Sequence, residues 1–299
     1  MSSFQRSARQ GASHAFRITR ARLASGWGSL RNPFFLCLLG ALLGSLPGYA
    51  QLPHLIRACS NGDFVGQFPR FTFHKIVDGK QIEETTGYSV DMIQTILRAK
   101  GLDARVDLIP WYRCMAEVER GSYDLLLDAS NSEERAQKYL VTPPYYSRQN
   151  IYFYFKQRPP GKVENANDLR RLRVCGQLGY NYSSWGILNA DVDRGARNLK
   201  LAMEKLKLGR CDIVLSRIEE AEEYRFSMSA DDAQLNELAW GQIPGMPPVT
   251  FHMMVSRNLP YSAQLDAILT QGIQRMMHNG EAARLKSHYP MAGQKNFLK

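Results

Sequence analysis

The sequence predicts an α/β chain of two lobes, each a mainly parallel sheet flanked by helices, with a two-strand hinge between them. Three observations carry this. Residues 55–127 run strand, helix, strand, helix, strand, and glycine closes both helices. A second run of the same kind begins at Asp168. Two extended stretches, near 147–157 and 247–257, take the chain out of its first lobe and back again.

The elements follow in order. Residues 55–59 read as a short strand, and a loop rich in Gly and Phe follows, with Phe64, Phe68, Phe71 and Phe73. Gly87 opens a helix whose Val90, Ile93, Ile96 and Leu97 fall on one face, and Gly101 stops it. Val106 and Leu108 alternate in the next strand. A second helix runs from about Tyr112 to Arg120 and is stopped by Gly121. The stretch 124–127, continuously apolar over Leu125-Leu126-Leu127 after Asp124, predicts a strand buried on both faces. A polar loop, a turn bearing Arg135 and the pair Tyr145-Tyr146 come next, followed by an aromatic strand over 151–155. The second lobe is expected to hold a strand at 173–176, a helix containing Trp185 and a helix face of Leu199, Met203 and Leu206. A strand at 212–215 and an acidic helix around Glu219 and Glu220 complete that run. Residues 244–248 (PGMPP) break the chain before a strand at 250–255, and two helices, 262–277 and 281–288, end the pattern.

The first 50 residues stand apart from this fold. They hold six arginines and no acid, then an apolar run over 34–46, then Pro47-Gly48-Tyr49-Ala50. A basic segment, a short apolar core and small residues at Gly48 and Ala50 predict a secretory signal cleaved after Ala50. An uncleaved anchor is the alternative, but the run is shorter than the ~20 apolar residues a bilayer span needs. Six of the 38 basic residues and none of the 28 acidic ones lie in this leader, leaving 32 against 28. The high isoelectric point is therefore largely the leader's, and no basic stripe suggests nucleic-acid binding. Export implies an oxidising compartment, and four cysteines remain: Cys59, Cys114, Cys175 and Cys211. Three pairings are open from the residues alone. None of the four forms a CxxC, His is sparse, and neither a metal site nor a cofactor is expected.

Several short motifs occur in a telling order. Gly87-Tyr88-Ser89-Val90-Asp91 opens the first helix, Trp111 follows the second strand, and Gly121-Ser122-Tyr123-Asp124 precedes the third. Arg135-Ala136 stands before Tyr145-Tyr146, and Leu208-Gly209-Arg210-Cys211-Asp212 lies in the second lobe. Behind a signal sequence, this set resembles the bacterial periplasmic solute-binding proteins of family 3, the polar amino-acid type, over nearly all of 52–290. The resemblance implies a periplasmic-binding-protein type II fold, with lobe 1 formed by 51–150 and 255–292 and lobe 2 by 151–254. Residues 293–299 are expected to be a loose tail.

The resemblance also implies a site. Arg135 matches the arginine that grips a ligand carboxylate in many members, a role suited to a planar guanidinium. A surface arginine paired with Glu133 or Glu134 is the alternative. Ser130 and Asn131 lie at the end of a buried strand, where such sheets bind ligands. Trp111, Tyr112 and Phe64 are candidate cleft walls, with core packing the bland reading for Trp111. Gly179 and Tyr180 stand where the second lobe faces the ligand, and Tyr145 and Tyr146 are expected to brace the hinge instead. Asp128 reads equally as a site acid or a loop cap. Members often carry an Asp five residues after the equivalent of Asp212, but this chain has Arg217 there. If Arg217 faces the cleft, the expected ligand is anionic. A subset of the family carries a strand-one Cys and an Arg-Cys pair, which implies Cys59–Cys114 and leaves Cys175–Cys211, with free buried thiols the alternative for the second pair.

The resulting expectation is a non-enzymatic, monomeric binding protein in the periplasm. It would deliver a small polar or anionic solute to an inner-membrane ABC permease. A periplasmic sensor or accessory subunit is the alternative, and a dehydratase-like enzyme on the same fold a more distant one. No Ser/His/Asp or Cys/His set is legible in the chain.

Overall fold

The computed structural model describes residues 51–62, 71–77, 79–218, 220, 224 and 237–289. The leader, Phe64, Glu219 and the segment 290–299 lie outside them. In the first lobe β1 (Leu55–Asn61) is followed by a hairpin, β2 (Phe71–Val77) and β3 (Lys80–Thr86). Then come α1 (Tyr88–Arg98), β4 (Asp103–Ile109), α2 (Trp111–Glu119), β5 (Leu125–Ser130), α3 (Glu133–Lys138), β6 (Tyr139–Val141) and β7 (Tyr146–Arg148). The second lobe holds β8 (Asn150–Phe155), α4 (Ala166–Leu169), β9 (Val174–Gln177), β10 (Asp193–Ala196), α5 (Leu199–Lys207), β11 (Ile213–Arg217) and β12 (Leu238–Gly241). The chain returns through β13 (Val249–Ser256) and ends in α6 (Ser262–His278) and α7 (Glu281–Ser287).

Each lobe is built on one sheet. The first runs β4-β1-β5-β13-β6, with β7 also on β13. Its β4, β1 and β5 are parallel, while β13 runs antiparallel to β5. The second runs β10-β9-β11-β8-β12, with β10, β9 and β11 parallel and the other two antiparallel. The chain crosses from the first sheet to the second between Arg148 and Asn150, and returns between Gly241 and Val249. Strand β13 lies wholly in the first sheet, so the return precedes the 254/255 boundary that the sequence suggests. The reason is pairing: β13 fills the edge of β5 along nearly its whole length.

The core explains the helices. The apolar face of α1 buries Val90, Ile93, Ile96 and Leu97 with Leu265, Leu269 and Ile273 of α6 and Ile56 and Leu125 of the sheet. A second cluster spans both lobes, joining Trp111, Cys114 and Met254 to Tyr180, Trp185 and Ile213. Cys59 of β1 is bonded to Cys114 of α2, and Cys175 of β9 to Cys211 just before β11. Three local expectations are revised. Where a loop is expected, Phe71 and Phe73 lie on β2, which pairs antiparallel with β3 out to Val77 and Lys80, while the Phe64 and Phe68 part of that stretch lies outside the described residues. Trp185 ends a single 3-10 turn, Ser183–Trp185, closed by left-handed Gly186, rather than sitting in a helix. The Arg135 turn is a short helix whose Ser132 cap accepts from the Arg135 amide.

Candidate functional site

The parallel strands of both lobes point their C-terminal ends at one crevice, the place where open α/β sheets bind ligands. From lobe 1 arrive Asn61 at the end of β1, Trp111 just after β4 and Ser130 at the end of β5. From lobe 2 arrive Tyr180 and Asn181, in the loop after β9, and Arg217 at the end of β11. Tyr146, Arg148 and Phe251 join from the hinge side, on β7 and β13. Asp128, Arg135 and Glu220 complete a cavity of about 30 Å³.

Arg135 is buried, which rules out the surface pairing with Glu133 or Glu134. Its Nη1 donates to the Ser130 carbonyl at 2.6 Å and its Nη2 to the Gly179 carbonyl at 2.8 Å. The Trp111 ring lies under the guanidinium at 5.6 Å, and Trp111 Nε1 donates to the same Gly179 carbonyl at 3.1 Å. Burial, then the neighbouring Arg217 charge, pushes the Arg135 pKa down to about 10. Gly179 is left-handed (φ +78), and a Cβ there would come within 2.6 Å of Met115 Cε and 3.3 Å of Trp111 Cδ1. Glycine thus lets the second lobe's loop approach α2 closely enough to be bonded.

Two more hydrogen bonds join the lobes. Asn61 Nδ2 donates to the Tyr180 hydroxyl at 3.0 Å, and Asn181 Nδ2 to the Asn131 carbonyl at 2.9 Å. Asn131 therefore takes part through its backbone, while its side chain is exposed. Tyr112 is also exposed, and the expectation of a cleft wall there is corrected. It lies one residue beyond Trp111 on α2, about 100° further around the helix, and so faces outward.

Arg217 is 3% exposed. Its guanidinium lies 5.0 Å from the Phe251 ring, 5.2 Å from Trp185 and 5.5 Å from Tyr180. Its Nη1 stands 3.5 Å from Glu220 Oε1, and Ser216 Oγ donates to the other Glu220 oxygen at 2.6 Å. Asp128 accepts from Ser89, Tyr145 and Tyr146 on one oxygen and from Ser60 on the other. Tyr146 thus lines the cavity, which corrects its reading as a hinge brace alone.

Sequence reasoning missed Asn61, Arg148, Asn181 and Phe251 as cavity residues. Asn61 and Asn181 follow strand ends, a signal that was available. Arg148 and Phe251 come from antiparallel hinge strands, where only the assembled sheet brings them to the crevice. Among the described residues no group of His, Cys, Asp and Glu is arranged to hold a metal.

The chain's residues 64–292 match the family described as bacterial extracellular solute-binding proteins, family 3. It is 28% identical over 154 residues to the L-cystine-binding protein TcyJ of Escherichia coli (strain K12), covering 50% of this chain and 55% of that one. The chain thus spans about half the length of this curated relative. Among solved structures it resembles an amino acid ABC transporter substrate-binding protein, AbpA, from Streptococcus pneumoniae bound to L-arginine. The TM-score is 0.58 at 20% identity, over 79% of this chain and 94% of that one. It resembles equally a histidine kinase sensor domain similar to periplasmic binding proteins, with TM-score 0.60 at 18% identity over 79% and 95% of the two chains. These likenesses show a type II periplasmic-binding-protein fold.

Proposed function

Since the chain belongs to the bacterial extracellular solute-binding proteins, family 3, we propose that it captures a small polar solute between its lobes and hands it to an ABC-type importer of the inner membrane. The observation that carries this reading is Arg135. It is a buried cation at the meeting of both lobes, and among the described residues it is held by the Ser130 and Gly179 carbonyls, Ser130 Oγ and the weak acceptor Met115 Sδ. A ligand carboxylate offers such a guanidinium a stronger, charge-assisted and bidentate partner. The cavity of about 30 Å³ holds only about two waters. The lobes must therefore part to admit a solute, and the two crossings between the sheets are the places to hinge. We further propose that the chain is exported, cut after Ala50 and monomeric, and that it binds its solute through Arg135, Ser130, Trp111, Tyr180 and Arg217 without chemistry on it.

A thermal-shift screen of the purified protein against amino acids, opines, dicarboxylates and small aromatic acids tests this. A specific rise in Tm that Arg135→Ala abolishes supports it. Absence of any shift in a folded, monodisperse sample rejects it in favour of an accessory subunit. N-terminal sequencing of the secreted form checks the cleavage site.

A further inference from the structure

The second guanidinium in the crevice has no counterpart in the ordinary recognition of a zwitterion. Arg217 is almost wholly buried, and among the described residues its guanidinium forms a long ion pair with Glu220 Oε1 at 3.5 Å. Its Nε has no hydrogen-bond partner there. The aromatic rings of Phe251, Trp185 and Tyr180 surround the guanidinium. A ring attracts a guanidinium through its face, so it satisfies the charge in part and none of the in-plane N–H donors. A desolvated cation with donors to spare is costly until an anion reaches it.

Charge balance points the same way. The cavity is lined by three arginines, 135, 148 and 217, against two acids, Asp128 and Glu220. Asp128 already takes four hydroxyl contacts, which occupy most of a carboxylate's acceptor capacity. Arg135 and Arg217 also lie near enough for the second to depress the pKa of the first, a repulsion that an anion between them relieves.

We propose that the solute is a compact dicarboxylate, one carboxylate held by Arg135 from the first lobe and the other by Arg217 from the second. This rests on the solute-capture reading and goes beyond it. Closure then joins the lobes through the ligand, with each end on a cation of a different sheet. Glu220, beside Arg217, accepts an ammonium if the dicarboxylate carries one.

Calorimetric titration of the purified protein with succinate, glutarate, L-aspartate and L-glutamate, beside L-asparagine and L-glutamine, tests the proposal. The amides match the amino acids in size and lack one charge. The wild type is expected to prefer an acid over its amide by about 100-fold. Arg217→Gln is expected to cut that preference below about tenfold by weakening the acid and sparing the amide. Because that variant leaves Glu220 buried without its cation, Arg217→Gln/Glu220→Gln serves as the fold-safe companion, with folding checked by circular dichroism. The two acid series separate a plain dicarboxylate from an amino dicarboxylate. An amide bound as tightly as its acid, or an acid preference that survives in the double variant, overturns the proposal. If neutral amino acids bind in an Arg135-dependent way and the acids bind no better, solute capture stands and the dicarboxylate falls. If none of these probes binds and the broader screen is also silent, both fall.

Discussion

Asp128 holds a left-handed backbone (φ +62) in β5, opposite the irregular register between His252 and Met254 of β13. Asp and Asn tolerate this conformation better than other side chains, and a bulge of this kind re-aims a side chain. Here the carboxylate turns into four hydroxyls from Ser60, Ser89, Tyr145 and Tyr146, and so ties β1, α1 and the hinge-side tyrosines together. Burial and the Asp128 charge in turn raise the Tyr145 pKa, which keeps its phenol a donor. Asp128→Asn keeps the backbone but turns an amide N–H₂ toward hydroxyls that now donate. It should cost about 1–3 kcal/mol in urea unfolding, and Asp128→Ala should cost more. From the sequence Asp128 read equally as a site acid or a cap, because neither the bulge nor its hydroxyl partners, from 17 to 68 residues distant, are local signals.

At the scale of elements, α1 and α6 show how a glycine can be required inside a helix. A Cβ on Gly272 would come within 2.4 Å of Ile96 Cγ2 and 2.7 Å of its Cγ1. Gly272→Ala therefore should destabilise the protein in urea by about 1–3 kcal/mol through overpacking, although Ala is the better helix former by roughly 1 kcal/mol. In an Ile96→Ala background the same change should become neutral or stabilising, and a double-mutant cycle reads the coupling. Strand β13 carries a pH-sensitive group. His252 is buried, with Nδ1 2.7 Å from the Thr142 carbonyl and Nε2 3.1 Å from the Thr250 hydroxyl. A carbonyl only accepts, so Nδ1 carries the proton and Nε2 accepts from Thr250. Burial holds the imidazole pKa below its ordinary 6.5. The unfolded chain then binds the extra proton first. The stability tied to His252 is complete above about pH 6.5 and is lost as pH falls toward the lower folded value. Melting curves from pH 7.5 to 5 should show this fall, and His252→Gln should flatten it. The regular elements were largely legible, because apolar spacing and glycine stops are local. The β2–β3 hairpin has a local signal in the dipeptide Asp78-Gly79, whereas the helix expected around Trp185 is a single 3-10 turn ended by left-handed Gly186.

For the molecule as a whole, the two lobes are held by more than their hinge. One apolar cluster runs from Trp111 and Met254 into Trp185 and Ile213, and among the described residues four hydrogen bonds cross the crevice, from Asn61, Trp111, Arg135 and Asn181. Each disulfide staples elements of a single lobe, closing 55 residues in the first and 36 in the second. Replacing either pair by serine should lower stability by about 2–4 kcal/mol, read as a shift in the urea midpoint. The double replacement should approach the sum, since the pairs lie in different lobes.

By itself the sequence determined the class of the fold, the order of its elements, the export leader as an expectation, and the family. Hydrophobic period, glycine stops and short motifs are all written in neighbouring residues. It pointed to Arg135, Ser130, Trp111, Tyr180 and Arg217, which do meet at the crevice. Only the tertiary structure decided that Arg217 turns inward among three aromatic rings, that Tyr112 turns out, and that β13 brings Phe251 to the site. Those outcomes depend on which surfaces of separate strands and helices come together. Side chains far apart in the chain settle them by competing for burial and for hydrogen-bond partners.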